Sequence, residues 1–355
     1  MNHVELFAGV GGFRRAVDLI SKDLGVPIHT VAYSEIEKKA IDTYNANYNT
    51  IGELAMGDIV TFVKDGQAMK SLPKYDILSG GFPCQTFSMM GSQEGFDEAR
   101  GQMFFRIMDM INERHPRYVL LENVKNLMNH DKGNTISVIK KELEAAGYIV
   151  KMDVFNSNDF GLPQKRNRTI IFARRKELGD FEFSSELVKK EFDGIRREEC
   201  SLLFYESVID ILEKQVDEKY YLSDKIKPTL LSDGSAGFKS KSEIDQIIAR
   251  PLTATMHKMH RACQDNYYSD QFIQSEGKNM PSKLMTKAQL AKIPIRKLTP
   301  KEAFMLQGFP IDFATKASRA KVADGAMYKQ AGNAVSVNTI YAVLYYRVNN
   351  KIIHQ

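Results

Sequence analysis

Short apolar runs alternate with amphipathic stretches through the first half of this 355-residue chain. "HVELFAG", "IHTVAYSE", "YDILSGG", "YVLLEN" and "RTIIFAR" are compact apolar runs that predict strands. "FRRAVDLISKDLG", "KKAIDTYNANY", "MFFRIMDMINERH" and "TISVIKKELEAAGY" show helical spacing with polar outer faces, which predicts helices. Alternation of the two predicts an α/β fold: a doubly wound, mostly parallel sheet covered on both sides.

Past about residue 176 the rhythm stops, and a stretch rich in Lys, Ser, Gln and Asp runs to about residue 295 without repeats or low complexity. It predicts a smaller, irregular second domain. The final segment, "GNAVSVNTIYAVLYYRVNN", predicts a helix with Val335, Ile340, Val343 and Leu344 at its apolar positions. It has the character of the first half, so the second domain is expected to be an insertion: one domain from residues 1–195 plus 331–355, the other from 196–330 with a hinge.

Composition narrows the class. A hydrophobic content of 43% can supply a sizeable core. No apolar run has the roughly 20 residues that cross a bilayer, and the chain starts on a strand pattern without a basic leader, so a cytoplasmic protein with no membrane partner is expected. Cys84, Cys200 and Cys263 lie far apart with no CxxC or Cys/His cluster. That spacing argues against a disulfide framework or a metal site and fits a reducing compartment. The net charge of +5 is uneven, acidic over residues 1–150 and basic beyond. Nucleic acid is a candidate partner for the basic part, beside the ordinary alternative of a solvated surface.

Four stretches carry candidate chemistry. In "LFAGVGGF" Gly9, Gly11 and Gly12 allow a ligand close to the backbone at a helix start. Arg14 stands where the dinucleotide pattern needs a third glycine, which weakens a nicotinamide reading. Glu35 can accept from ribose hydroxyls and Asp58, in "GDI", can hold an adenine amino group. An adenosine ligand without pyrophosphate is favoured, and S-adenosylmethionine fits; a plain turn is the alternative. In "GGFPCQTFS" Pro83 fixes its own φ and restricts Phe82, so the direction of the Cys84 thiol is largely set, as suits a nucleophile; a buried structural thiol is the alternative. Glu122, in "ENV", follows an apolar strand at the same sheet edge, either facing a cleft or capping a helix. "QKRNR" sets Arg166 and Arg168 two apart, expected on one face of a strand leading into "TIIFA", where they could bind a carbonyl oxygen or phosphate or merely line a basic edge.

Read in order, "LFAGVGGF", "GGFPCQTFS", "ENV", "QKRNR", "RKLTPKEAFMLQGFP" and "QAGNAVSVN" resemble the motifs of the DNA cytosine-5 methyltransferases of bacterial restriction–modification type. The matches spread from Val4 to Asn338 and leave roughly 176–290, where that family places its variable target-recognition domain. The resemblance implies a Rossmann-like methyltransferase fold, with 1–195 plus 331–355 as the catalytic domain and 196–330 as the target-recognition domain. It implies that Cys84 attacks C6 of a cytosine flipped out of double-stranded DNA, since C5 is otherwise a poor nucleophile. Glu122 would hold N3 and the exocyclic amine, Arg168 would bind O2, and Arg166 would help position Cys84 and the base. S-adenosylmethionine would be met by Phe7, Gly9, Gly11, Glu35, Ile36, Asp58, Ile59, Pro83 and Asn333. Arg100, in the loop 89–102, would reach DNA, as would Leu252 and Thr253 in "ARPLTATMHKMHR". Ile36 replaces a frequent aromatic, Ala334 a serine, Met90 a small polar residue and Pro251 a threonine; Cys84, Glu122 and Arg168 keep the family pattern. A monomer with a companion restriction endonuclease is the expected setting. Three rivals are a tRNA cytosine-5 methyltransferase, whose usual Cys-Phe-Thr signature is absent; an inactive nucleic-acid-binding homologue; and a nucleotide-dependent oxidoreductase, which leaves "ENV" and "QKRNR" unexplained.

Overall fold

The computed structural model describes residues 1–83, 103–235, 238–258 and 261–349, so Cys84, Met90 and Arg100 lie outside the described residues. Two compact units result. The first comprises Met1–Asn156, Asn167–Ser201 and Thr339–Gln355; the second comprises Ser157–Arg166 and Leu202–Asn338.

All five predicted strand runs form strands of one seven-stranded sheet in the first unit. They are β1 (Asn2–Leu6), β2 (His29–Tyr33), β4 (Ile77–Gly81), β5 (Tyr118–Val124) and β7 (Asn167–Arg175). Two more were not foreseen: β3 (Leu54–Ala55) and β6 (Tyr148–Asn156). The order is β3-β2-β1-β4-β5-β7-β6. Strands β3 to β5 pair in parallel, and β7 runs antiparallel to both β5 and β6. The four predicted helices form as α1 (Gly12–Leu24), α2 (Lys38–Asn47), α5 (Met103–Arg114) and α6 (Asn134–Ala145), with the short α3 (Ile59–Lys64) and α4 (Gly66–Ser71) between. Leu6, Leu78 and Leu121 from the sheet pack with Phe104, Ile107, Ile139 and Leu143 from the helices. This mostly parallel α/β sheet with covering helices is the expected fold class.

The last helix starts at Val337, not at the glycine before it, because Ala334 leaves helical geometry after the helix Asp324–Asn333; Val335 therefore precedes the helix it was expected to join. From Thr339 onward this helix belongs to the first unit. Its Arg347 is wholly buried, with the guanidinium 4.0, 4.3 and 4.5 Å from the ring centres of Phe172, Phe181 and Phe183. Desolvation pushes its pKa down to about 9, and the aromatic faces offset part of that cost.

Two titratable groups are sealed inside β1. His3 contacts Thr30 Oγ1 at 2.9 Å and Ser79 Oγ at 2.7 Å, and burial pushes its pKa down to about 3. Glu5 accepts from the Arg14 N–H and the Tyr44 hydroxyl, and burial pushes its pKa up to about 8. A carboxyl raised on folding contributes stability below its unfolded pKa near 4.5 and loses that contribution as pH rises towards 8. Glu5→Gln should therefore gain on the wild type by up to about 1.4 kcal/mol per pH unit across that window. His3 acts oppositely: its contribution is present above 6.5 and lost as pH falls towards 3, and the substitution leaves it in place. Melting temperatures of both proteins from pH 5 to 8 test this, and a difference that does not change with pH would refute it.

The second unit has little regular sheet. Tyr267–Ser269 pairs antiparallel with Ile295–Lys297, and Leu222, Leu230, Ile244, Tyr267, Leu290 and Ile295 form a small core. A wholly buried ion pair reinforces it: Arg296 Nη2 lies 2.7 Å from Glu302 Oε1, which also accepts from the Glu213 N–H. Among the described residues no helix is long and apolar enough to cross a membrane.

Candidate active site

The loop from β1 to α1 turns through three residues with positive φ: Phe7 (53°), Gly9 (55°) and Gly11 (80°). A bulky residue in that region is uncommon, and such strain gathers at functional loops. The two glycines are required for different reasons. Among the described residues beyond its chain neighbours, a Cβ on Gly9 would have only the Phe7 carbonyl oxygen within 4.0 Å, which leaves room there for a ligand. A Cβ on Gly11 would sit 2.5 Å from Tyr48 Cε2 and 2.9 Å from Tyr44 Cε2, and the Tyr48 hydroxyl donates to the Gly11 carbonyl at 2.7 Å. Arg14, at the place of the missing third glycine, is buried over both tyrosine rings, with Nη1 2.6 and 2.7 Å from the Glu53 oxygens.

Glu35 ties the end of β2 to this loop. Its Oε2 accepts from the Gly9 N–H, and its Oε1 from the N–H groups of Ile36 and Glu37, all at 2.8 Å. A carboxylate has about four acceptor directions, so one remains, on Oε2, for a ligand hydroxyl. Ile36 beside it is 74% exposed, an apolar surface at the loop rim. Asp58 is exposed and caps α3, accepting from the Val60 N–H at 2.9 Å and the Thr61 hydroxyl at 3.2 Å. The Ile59 side chain lies in the core, so only its backbone can face a ligand.

At the carboxyl end of β4, Gly81 pairs with Glu122 of β5. Asn123, next along, donates from Nδ2 to the Phe82 carbonyl at 2.8 Å and so holds the chain entering the exposed Pro83. Antiparallel register places Ile170 opposite Glu122, so Arg168, two residues away, shares its face of the sheet. Arg168 Nε lies 2.8 Å from Glu122 Oε1, and both side chains are largely buried. A carboxylate and a guanidinium sharing a sheet face can together grip an amide-like edge that offers both donor and acceptor atoms.

Arg166 corrects the strand reading. β7 begins at Asn167, so Arg166 is not in the strand, and in the second unit its buried guanidinium donates to the carbonyls of Leu252 (3.0 Å), Gly332 (3.0 Å) and Ala334 (2.8 Å). Gln164 adds a second clamp: its Oε1 accepts from the Leu252 N–H at 2.9 Å, and its Nε2 donates to the Leu306 carbonyl. Leu252 is thus buried with both backbone polar groups engaged, scaffold for Thr253 more than contact surface. A Cβ at Gly332 would lie 2.3 Å from the Thr253 carbonyl carbon, so only glycine lets these backbones meet. Asn333, by contrast, is exposed. Asn123, Gln164 and Tyr48 were not picked out from the sequence. The first two stand inside or beside the motifs, but neighbouring charged residues drew the attention; the signal for Tyr48, its place in α2's flank, points to no partner.

Residues 1–347 match the family described as C-5 cytosine-specific DNA methylase. The type II methyltransferase M1.ScrFI of Lactococcus lactis subsp. cremoris is 38% identical, covering 96% of this chain and 76% of its own length. The type II methyltransferase M.NlaX of Neisseria lactamica is 34% identical, covering 96% and 94%. Among solved structures, the Dnmt2 methyltransferase of S. pombe has a TM-score of 0.74 at 21% identity over 99% of each chain, a likeness of fold. The matched family acts on DNA. With the family matched across nearly its whole length, the chain belongs to the C-5 cytosine-specific DNA methylases and is a DNA cytosine methyltransferase.

Proposed function

We propose that this enzyme transfers a methyl group from S-adenosylmethionine to C5 of a cytosine flipped out of a specific short sequence in double-stranded DNA, with Cys84 bonded transiently to C6. The observation that carries the reading is the Glu122–Arg168 pair beside β4, whose end Asn123 holds one residue before Pro83 and two before Cys84. The open space at Gly9, the exposed Ile36 and the remaining acceptor on Glu35 fit S-adenosylmethionine, which when bound supplies an electrophilic methyl group. Glu35 would take a ribose hydroxyl, Ile36 would pack on the adenine and Asp58 would hold its amino group. Phe7, Gly11, Ile59, Pro83 and Asn333 would complete the contacts.

The base must leave the stack to be reached. Glu122 would then bind N3 and the exocyclic amine, and Arg168 would bind O2. As the Cys84 thiolate forms the S–C6 bond, a proton held between Glu122 and N3 stabilises the added electron pair, and C5 becomes nucleophilic. After C5 is methylated, loss of its proton breaks the S–C6 bond and restores the thiolate. Arg166 would help position Cys84 and the base, and it also fixes Leu252 and the Gly332–Ala334 turn. A cytoplasmic monomer with a companion endonuclease acting on the same sequence completes the proposal.

The test is conversion-based sequencing of DNA from a methylation-deficient host expressing the wild-type chain or Cys84→Ala. One short motif methylated by wild type alone is expected. Unmethylated DNA from folded wild-type protein would sink the reading, and RNA sequenced from the same cells would show whether RNA is the substrate instead.

A further inference from the structure

The loop from Phe7 to Gly11 is held at its two ends in different ways. Ala8 donates its N–H to the Ser34 carbonyl at 2.9 Å and Gly9 donates to Glu35, so the first part hangs from the end of β2. At the other end, α1 starts without a side-chain cap, and its N-cap, Gly11, is left-handed. The Gly11 N–H bonds back to the Ala8 carbonyl at 2.8 Å, while its own carbonyl accepts from the Arg15 N–H at 2.9 Å and from the Tyr48 hydroxyl at 2.7 Å. Of these three contacts, that of Tyr48 is the one that reaches in from beyond the loop and α1. Tyr48, just past α2, is fixed in turn. Its ring centre lies 4.9 Å from that of Tyr44, which stacks on Tyr33 of β2 at 4.6 Å. The Arg14 guanidinium, 5.1 Å from the Tyr48 ring centre, is anchored by Glu53 and by the Asn49 carbonyl.

That hydroxyl matters because the loop is strained. Phe7 is left-handed without being glycine, a cost that a loop free to relax would shed. A donor fixed on the Gly11 carbonyl favours the observed turn over relaxed ones. A ligand that fits only this turn binds more weakly in proportion to the time the loop spends elsewhere. Resting on the functional reading above, we propose that Tyr48 is a positioning residue of the methyl-transfer reaction, acting through the Gly11 carbonyl to keep the turn in the form that accepts S-adenosylmethionine.

The experiment compares wild type, Tyr48→Phe and Tyr44→Phe by equilibrium binding of S-adenosylmethionine, steady-state kinetics on a duplex substrate and melting temperature. Tyr48→Phe keeps the ring beside Arg14 and removes one oxygen. Tyr44→Phe removes a hydroxyl of the same kind from the same aromatic layer, one that meets Glu5 at 3.2 Å and Arg14 at 3.4 Å instead of the loop. Tyr48→Phe should weaken S-adenosylmethionine binding and raise its KM by about 2- to 10-fold, the scale of one hydrogen bond, with the KM for DNA unchanged. Tyr44→Phe should lower the melting temperature and leave cofactor affinity at the wild-type value. Equal loss of cofactor affinity in the two variants would show that the layer supports the unit as a whole, and would overturn the proposal. Unchanged affinity in Tyr48→Phe would overturn it too, as would a fall in kcat at saturating cofactor with affinity intact, which would place the hydroxyl in the chemistry. A wild type that binds no S-adenosylmethionine would instead sink the functional reading itself.

Discussion

Cys84→Ala is expected to abolish methyl transfer, a loss of at least about 10⁴-fold, because the proposed S–C6 bond cannot form without the thiol. Cofactor binding should be retained. Most of the groups proposed to hold S-adenosylmethionine lie on the β1 and β2 loops and at the start of α3, where they are fixed by bonds from Tyr48 and Gly9 and by the cap at Asp58. Equilibrium binding of S-adenosylmethionine, measured beside single-turnover methylation, separates the two roles. Comparable loss of both would show that Cys84 is structural, the ordinary role of an isolated cysteine.

Glu122→Gln is expected to lower kcat by about 10² to 10⁴, the usual range for a removed acid–base group, with a smaller change in KM for DNA. The amide keeps the shape but cannot share a proton with N3. It also takes away the charge that Arg168 Nε meets at 2.8 Å, and breaking a largely buried pair strands the guanidinium. That second effect must be subtracted. Glu122→Gln combined with Arg168→Met removes both charges and should recover melting temperature without recovering turnover. Recovery of turnover would mean that the stranded Arg168 charge, and not the lost carboxylate, caused the defect, which would overturn both proposed roles.

The sheet was legible because its strands are short apolar runs and its helices carry one polar face. β6 was not: Tyr148, Val150 and Phe155 are buried, yet Lys151, Met152, Asp153 and Val154 between them remain partly exposed, so the run lacks the continuous apolar character of the central strands. It also follows α6 with only Ala146 and Gly147 between, which let the helical reading run on to Tyr148. β3 is two residues long and has no pattern to read. At the site, Glu122 and Arg168 were legible through motif and register. Arg166 was misplaced because two-residue spacing puts side chains on one face only if the strand has already begun, and here it begins one residue later. The support from Asn123 and Gln164 depends on contacts between distant segments. Gln164 meets Leu252 and Leu306, partners that no local spacing can announce.

The discontinuous first unit bears on how the chain is made. Arg347 fills its cage of Phe172, Phe181 and Phe183 only after the whole of Leu202–Asn338 has left the ribosome, an interval on the order of ten seconds at ordinary elongation rates. Until then the face of Phe172, Phe181 and Phe183 that Arg347 covers lacks that cover. An apolar face left uncovered late in synthesis is an aggregation liability, and slow codons across Leu202–Asn338 would lengthen the interval.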